Sequence, residues 1–499
     1  MRALPQALAL SLLLATSLSS STGHTAPAPA GGSVAAARPP LDNRLDALLT
    51  ADFLEKAQVG IHVVDLETGK TLYERNGSTP LNPASNVKLL TSAAALSVLG
   101  PEHRYSTRVY GEKDKLSHGT LAGDLYLVGG GDPSLVTGDL YELALRLRAA
   151  GVQEVQGGIV VDASRFDADG LPPGFDQKAE FASYRAPFGA AAVNFDTFEL
   201  RLGRGANVGE KPPARLVPSV RSFEVVNTAK VVAGRKNKLM VSVETKSGKT
   251  TVKLSGTIGI DVTPPSYRYP VEDPSDYAGQ VFESVLRQAG IKLGRRKIKK
   301  GKAPEQGRLF ASHYSDPLSV LLRAVNKFSN NFMAEQILRT LDEGEGASAA
   351  DSLGVLRQHI EGLGAAPSGL VLGNGSGLYD NNRVSPDTFT KVLAAVYDDF
   401  TIRSDFMASL AVMGVDGTTR KRLSEEPVKG WARVKTGTLD GVSALSGYVG
   451  VPGRRPVVFS ILLNDIPQWK TVSARRLQDE IVAEIAAELH GYTRPPKQE

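Results

Sequence analysis

Three short motifs follow one another along the chain: Ser85-Asn86-Val87-Lys88, Ser329-Asn330-Asn331 and Lys435-Thr436-Gly437. Their residue types supply the parts of a serine acyl-transfer site. A serine hydroxyl is a weak nucleophile at neutral pH and needs a neighbouring base. Lys88, three residues beyond Ser85, would share a helix face with it. Burial and a second cation both depress a lysine pKa, and Lys435 is the expected second cation. Ser329 offers a hydroxyl relay and Asn331 an amide hydrogen bonder. Each motif alone is weak, because Ser-x-x-Lys and Ser-x-Asn also arise by chance in a chain of 499 residues. A decoy for the third motif, Lys246-Ser247-Gly248, precedes Ser329; it lies between the alternating runs LMVSVET and KTTVKLS and reads as a hairpin turn.

The elements around the motifs are those that such a site needs. NPASNVKLLTSAAALSVLGP reads as a helix with Asn82 at the N-cap, Pro83 at the first helical position and Gly100-Pro101 as its stop. Ser85 then falls in the first turn, where unpaired N–H groups and the helix dipole favour negative charge. The helix is apolar on nearly every side, as a buried central helix is. DPLSVLLRAVNKFSNNFMAEQILRTL reads as two helical stretches meeting at Ser329-Asn330-Asn331. GWARVKTGTLDGVSALSGYVGV reads as two strands joined at Asp440-Gly441. Strand alternation puts Lys435 and Gly437 on one face, and Thr436 and Thr438 on the other. Gly437 removes a side chain where a substrate backbone would approach.

Motifs in this order form the pattern of penicillin-binding proteins and serine β-lactamases, and the spacing narrows it. The gap from Ser85 to Ser329 runs across nearly half the chain, for which a compact β-lactamase has no room. The chain resembles the class C low-molecular-mass penicillin-binding proteins, the D-alanyl-D-alanine carboxypeptidase/endopeptidase family (peptidase family S13), which carry a large insertion there. GDLYLVGGGDPSL (123–135) and NGSGL (374–378) are similar to that family too, and the resemblance covers about residues 41–490. It implies an α/β (α+β) fold with a β-lactamase/transpeptidase-like catalytic domain. It also implies a serine carboxypeptidase, with possible endopeptidase activity, acting on peptidoglycan stem peptides and inhibited by β-lactam antibiotics, without cofactor or metal. Carried over residue by residue, Ser85 is the nucleophile, Lys88 the base and Ser329 the relay to the leaving amine. Asn331 orients Lys88 and the substrate amide. Thr436 and Thr438, aided by Lys435, hold the terminal carboxylate beside Gly437, and the N–H groups of Ser85 and Thr438 form the oxyanion hole. One departure stands out. After Gly-Ser-Gly-Leu the family often has Ser-Arg, whose Arg is associated with the substrate side chain; here Tyr379-Asp380 stand there, with Arg383 further on. Asp380 as a substrate-binding residue would favour a free amino group, whereas Arg383 would suit a carboxylate. Two other readings remain: a β-lactamase-like hydrolase, which shares the first half-reaction, and a non-catalytic wall-binding protein that retains the fold.

Composition is that of a globular protein of two or three domains. Residues 1–30 read as a secretory signal peptide with Arg2 ahead of a short apolar run, an uncleaved anchor being the alternative. A linker over 31–40 follows. The expected location is therefore the periplasm or cell-wall space. With no cysteine, the exported fold has neither disulfide nor lipid-attachment thiol. The seven histidines are scattered, with no ligand spacing for a metallopeptidase. A basic run over 292–302 (Lys292, Arg295, Arg296, Lys297, Lys299, Lys300, Lys302) reads as a solvated loop or edge strand, or as a peripheral contact with wall polymers or a membrane. Nucleic acid is not an expected partner. The pattern of elements divides the chain into a catalytic domain (41–107 and 307–492), an inserted α/β domain (108–189 and 257–306) and a nested β domain (190–256).

Overall fold

Val442–Val449 and Val457–Asn464 are buried at every position, so the sheet that they form must be covered on both faces. In the computed structural model, which describes residues 39–491 apart from 169, 179–180, 296 and 425–427, these strands are central in a six-stranded antiparallel sheet. Its order is Ala411–Val412, Ala432–Leu439, Val442–Val449, Val457–Asn464, Gln58–Asp65, Thr71–Arg75. The hairpin Gln58–Asp65/Thr71–Arg75 thus pairs with the last strand. Alternate residues serve alternate faces: Leu445, Val449, Phe459 and Ile461 pack under helices Leu41–Leu48 and Thr471–His490. Ala444, Tyr448, Val458 and Leu462 face a layer of helices. At the centre of that layer is Val87–Leu99, buried continuously from Val87 to Leu96 and surrounded by Leu318–Lys327, Asn331–Arg339, Ala349–Gly362 and Pro386–Asp398.

The chain leaves this core through Ser106–Gly111 and returns through Arg308–Tyr314, and these two strands pair antiparallel. They belong to a five-stranded sheet completed by Leu125–Gly129, Ile159–Asp162 and Ile298–Lys300. The sheet of the insertion therefore reaches into residues before 108 and after 306. Helices Thr137–Ala149 and Pro274–Gln288 pack on it. Beyond lie a three-stranded sheet, in which Thr197–Leu202 pairs with both Ala214–Val217 and Ser266–Pro270, and a four-stranded sheet around Lys249–Gly259. The decoy is a hairpin turn between Asn237–Lys246 and Lys249–Gly259, with Ser247 and Gly248 at φ 49° and 75°. In the basic run, Lys292–Leu293 and Ile298–Lys300 are edge strands. Lys299, Lys300 and Lys302 are ion-paired with Asp124, Asp273 and Glu345. The expected signal peptide, most of the linker and Arg296 lie outside the described residues. Among the described residues no helix is long and apolar enough to cross a membrane.

Candidate active site

Ser85 does not lie in the first turn of an α-helix, as the sequence implies. It sits in a 3-10 turn, Ala84–Asn86, and the α-helix begins at Val87. Asn82 does accept a hydrogen bond, from the Ala84 N–H at 2.9 Å, but Ala84 itself is left-handed at φ 45°. Such a conformation costs a non-glycine residue free energy and persists only where its surroundings hold it. Asn464 clamps Asn82 through two hydrogen bonds of 2.8 and 2.9 Å. Gly377, at φ 72°, passes so close to the Ala84 carbonyl that a Cβ would overlap it. On the other side a Cβ on Gly437 would lie 2.7 Å from the Pro83 carbonyl oxygen and 3.1 Å from Ala84 Cβ. The missing side chain of Gly437 thus admits the Ser85 turn.

Lys88 is fully buried, and its Nζ has three acceptors: Ser85 Oγ at 3.0 Å, Asn331 Oδ1 at 2.8 Å and the Ser376 carbonyl. Burial brings its pKa down to about 7, against an upward pull from the nearby Glu335 carboxylate. The Ser329 motif divides its labour. Asn330 caps helix Asn331–Arg339 by accepting from the Met333 N–H at 3.1 Å, which leaves its neighbours to the cleft. Ser329 is held left-handed, at φ 59°, and its Oγ accepts from Lys435 Nζ at 2.9 Å. Asn331 Nδ2 reaches the Tyr184 carbonyl at 3.4 Å.

Lys435 is also fully buried, and its pKa is lowered by burial first and by the charge of Lys88 second. Burial is thus the first cause of the lowering at both amines, and the repulsion between them adds to it. Thr436 and Thr438 alternate to the other face. The hydroxyl of Thr436 meets that of Thr418 at 2.8 Å, and Thr438 Oγ1 accepts from Arg475 at 3.3 Å. The structure thus brings Ser85, Lys88, Ser329, Asn331 and Lys435 into one cluster, with Thr436, Gly437 and Thr438 along its edge.

A cleft of about 870 Å³ opens over this cluster, lined by Ser85, Ser329, Asn331 and Thr438 and, from the insertion, by Gln177, Lys178 and Tyr184. Asp380 lines it too, but its carboxylate is engaged by Arg383 at 2.6 and 3.2 Å and by Asn82 at 2.9 Å, contacts that hold its pKa low. Two features escaped the sequence reading. One is Glu335, buried four residues after Asn331 in the same helix. The other is the coverage of the cleft by residues of the insertion. A charged residue in step with Asn331 on a helix otherwise full of core residues was the available signal for the first.

A serine beside a buried amine, a second hydroxyl and a second amine, gathered at the end of a helix-covered antiparallel sheet, is the arrangement of a penicillin-recognising serine acyl-transfer enzyme. Comparison with known proteins makes this specific. The chain belongs to the D-Ala-D-Ala carboxypeptidase 3 (S13) family, whose model matches residues 41–487. Membership makes it a serine-type D-Ala-D-Ala carboxypeptidase. It is 35% identical over 468 residues to a D-alanyl-D-alanine carboxypeptidase of Actinomadura sp. (strain R39), covering 90% of this chain and 85% of that one. It is 27% identical to the D-alanyl-D-alanine carboxypeptidase DacB of Haemophilus influenzae, covering 83% of this chain and 87% of the relative. The crystal structure of penicillin binding protein 4 (dacB) from H. influenzae superposes with a TM-score of 0.76 at 25% identity, over 89% of this chain and 99% of that one.

Proposed function

We propose that the cleft cleaves the terminal D-Ala-D-Ala bond of peptidoglycan stem peptides through an acyl-enzyme on Ser85. The Ser85 oxygen attacks the carbonyl of the penultimate D-Ala as its proton passes to Lys88. The oxyanion that forms faces the N–H groups of Ser85 and Thr438. The C–N bond then breaks, and a proton delivered by way of Ser329 leaves with the amine of the terminal D-Ala. Lys435, Thr436 and Thr438 hold the terminal carboxylate. Water attacks the Ser85 ester, giving a proton to Lys88; the bond to Ser85 Oγ then breaks as Lys88 returns a proton to that oxygen, and the shortened peptide departs. The same route serves a cross-linked stem, whose leaving amine is larger. A β-lactam acylates Ser85 by ring opening and keeps its leaving group tethered.

The observation that carries this reading is the hydrogen-bond pattern at Lys88. A neutral amine has two N–H bonds and one lone pair. Asn331 Oδ1 and the Ser376 carbonyl can only accept, so they take the two N–H bonds. The lone pair is then directed at Ser85 Oγ, 3.0 Å away, the one partner able to donate. Mass spectrometry after exposure to benzylpenicillin tests it. A long-lived adduct on Ser85, absent in Ser85→Ala along with D-Ala release, is expected. Rapid loss of the adduct would favour a β-lactamase-like hydrolase, and no adduct a non-catalytic protein.

Export to the periplasm or wall space belongs to the same proposal and rests on the reading of residues 1–30. So does a peripheral contact with anionic wall polymer or membrane through 292–302. With Lys299, Lys300 and Lys302 ion-paired, the cations available to it among the described residues are Lys292, Arg295 and Lys297. Salt-sensitive cosedimentation with anionic vesicles or wall polymer, lost on replacing those three, is the corresponding test.

A further inference from the structure

Glu335 is a fully buried acid that the proposed reaction does not use. It stands one helical turn after Asn331, on the same face of helix Asn331–Arg339. Its carboxylate accepts from the Gly375 N–H at 3.2 Å and the Ser376 N–H at 2.7 Å, with the Ser376 hydroxyl as a third donor. Burial, the largest influence, raises its pKa above the ordinary carboxylate value, while these donors and the charge of Lys88 pull the other way. The carbonyl of the same residue, Ser376, accepts from Lys88 Nζ. One helix therefore sets two of the three acceptors around the amine: Asn331 directly, and Ser376 by way of Glu335.

We infer that Glu335 is a positioning residue for Lys88: it fixes the Ser376 carbonyl that aims the amine at Ser85 and holds a buried carboxylate behind that carbonyl. This rests on the reading of Lys88 as the base. The groups packed around Nζ come from four elements: Ser85 from its turn, Asn331 and Glu335 from one helix, Ser376 from the loop and Lys435 from the strand. Among these described groups Glu335 and Lys435 are the titratable ones. Burial holds Lys435 well below its ordinary value; of the two, Glu335 is the one that can be an anion, so its charge opposes loss of the Lys88 proton. It keeps the base strong at the cost of keeping it protonated at lower pH, the compromise that a base working near neutrality requires. Gly375 and Gly377 flank the anchored residue: a Cβ on Gly375 would meet Leu338 Cβ at 3.0 Å, and one on Gly377 would overlap the Ala84 carbonyl. The loop is thus seated on the helix that bears Glu335 and on the Ser85 turn at once.

The test is the rate of benzylpenicillin acylation against pH in the wild type, Glu335→Gln and Glu335→Asp. Removing the anion disfavours the ammonium form, so the acid limb of Glu335→Gln should lie about one pH unit lower, with a plateau about ten-fold lower because the base is weaker. Glu335→Asp keeps the charge but draws it back, and should shift the limb the same way by less. An acid limb that stays in place or moves upward in Glu335→Gln overturns the inference, since a purely structural role would lower the rate without moving the limb. If Glu335→Gln does not fold, Glu335→Asp decides: a lowered limb supports the inference and an unmoved one overturns it. Lys88→Ala separates the two claims, for wild-type acylation in that variant would remove the base itself.

Discussion

At the scale of single residues, the cluster is a problem of placing two amines in a dry site without leaving either as an isolated charge. Burying a lysine favours its neutral form, and burial brings Lys88 to about 7, the range that the proposed proton transfer from Ser85 requires. The kcat/KM for a D-Ala-D-Ala peptide should therefore rise through an acid limb centred near 7, the value for Lys88 in the free enzyme. The sign follows from the base having to be neutral: activity is lost as pH falls through its pKa. Lys435→Ala should lower acylation by about a hundred-fold, through loss of the contact with Ser329 and of carboxylate binding, yet leave that limb within about half a unit. A limb displaced well upward would mean that Lys435 does depress Lys88. At the cleft wall, Asp380 and Arg383 are tied together and partly exposed, so neither offers a free charge to substrate. Such pairs contribute little. Peptides ending in an amine, an amide or a carboxylate at the side-chain position should differ by less than about five-fold in the wild type. Arg383→Ala should release Asp380 and raise the preference for the amine about ten-fold, as read from kcat/KM for the three peptides.

At the scale of elements, the site depends on backbone passing close to backbone. Gly377 and Gly437 sit on either side of the left-handed Ala84, and neither has room for a Cβ. Gly377→Ala should cost about 3 kcal/mol through its positive φ and the overlap with the Ala84 carbonyl, and lower acylation of Ser85 by about a hundred-fold. Gly362→Ala, at a helix end with open space around it, should leave both unchanged; thermal melts and acylation kinetics of the pair make the comparison. These elements also show why some features could be read from the sequence. Ser85 and Lys88, Ser329 and Asn331, and Lys435 are recognisable because acyl transfer demands those residue types at those short spacings. The hairpins at 247–248 and 440–441 follow from local turn chemistry. The left-handed Ala84 and Ser329 have no local signature, since tertiary packing holds them. Glu335 was missed because an acid in a helix ordinarily faces water, and its burial is decided by a loop 40 residues further along the chain. The pairing of Ser106–Gly111 with Arg308–Tyr314 joins strands too distant for any local pattern to announce.

At the scale of the molecule, the insertion leans back on the catalytic core through described residues between 163 and 190, and this stitching shapes the cleft. Arg339, with 1% of its surface exposed, donates to Asp167 Oδ1 and to the Ala347 carbonyl at 2.7 Å each. Its guanidinium stacks over Phe188 at 5.0 Å and Phe166 at 6.0 Å. Gln336 reaches the Gly189 carbonyl at 2.8 Å, and the Pro173 carbonyl accepts from Asn374 and Asn381 at 3.3 and 3.1 Å. Between these anchors lie Gln177 and Tyr184, which face the cleft. A small β-lactam needs the cluster around Ser85, whereas a stem peptide is long enough to meet the insertion as well. Asp167→Asn removes the ionic half of the Arg339 anchor while keeping its shape, and should cost about 2 kcal/mol of stability. If the anchored segment helps to bind peptide, this variant should raise KM for a stem-length peptide several-fold while acylation by benzylpenicillin changes by less than about two-fold. Equal losses with both ligands would mean that the substitution disturbs the Ser85 cluster itself. Unchanged kinetics with both would confine the segment to holding the insertion in place.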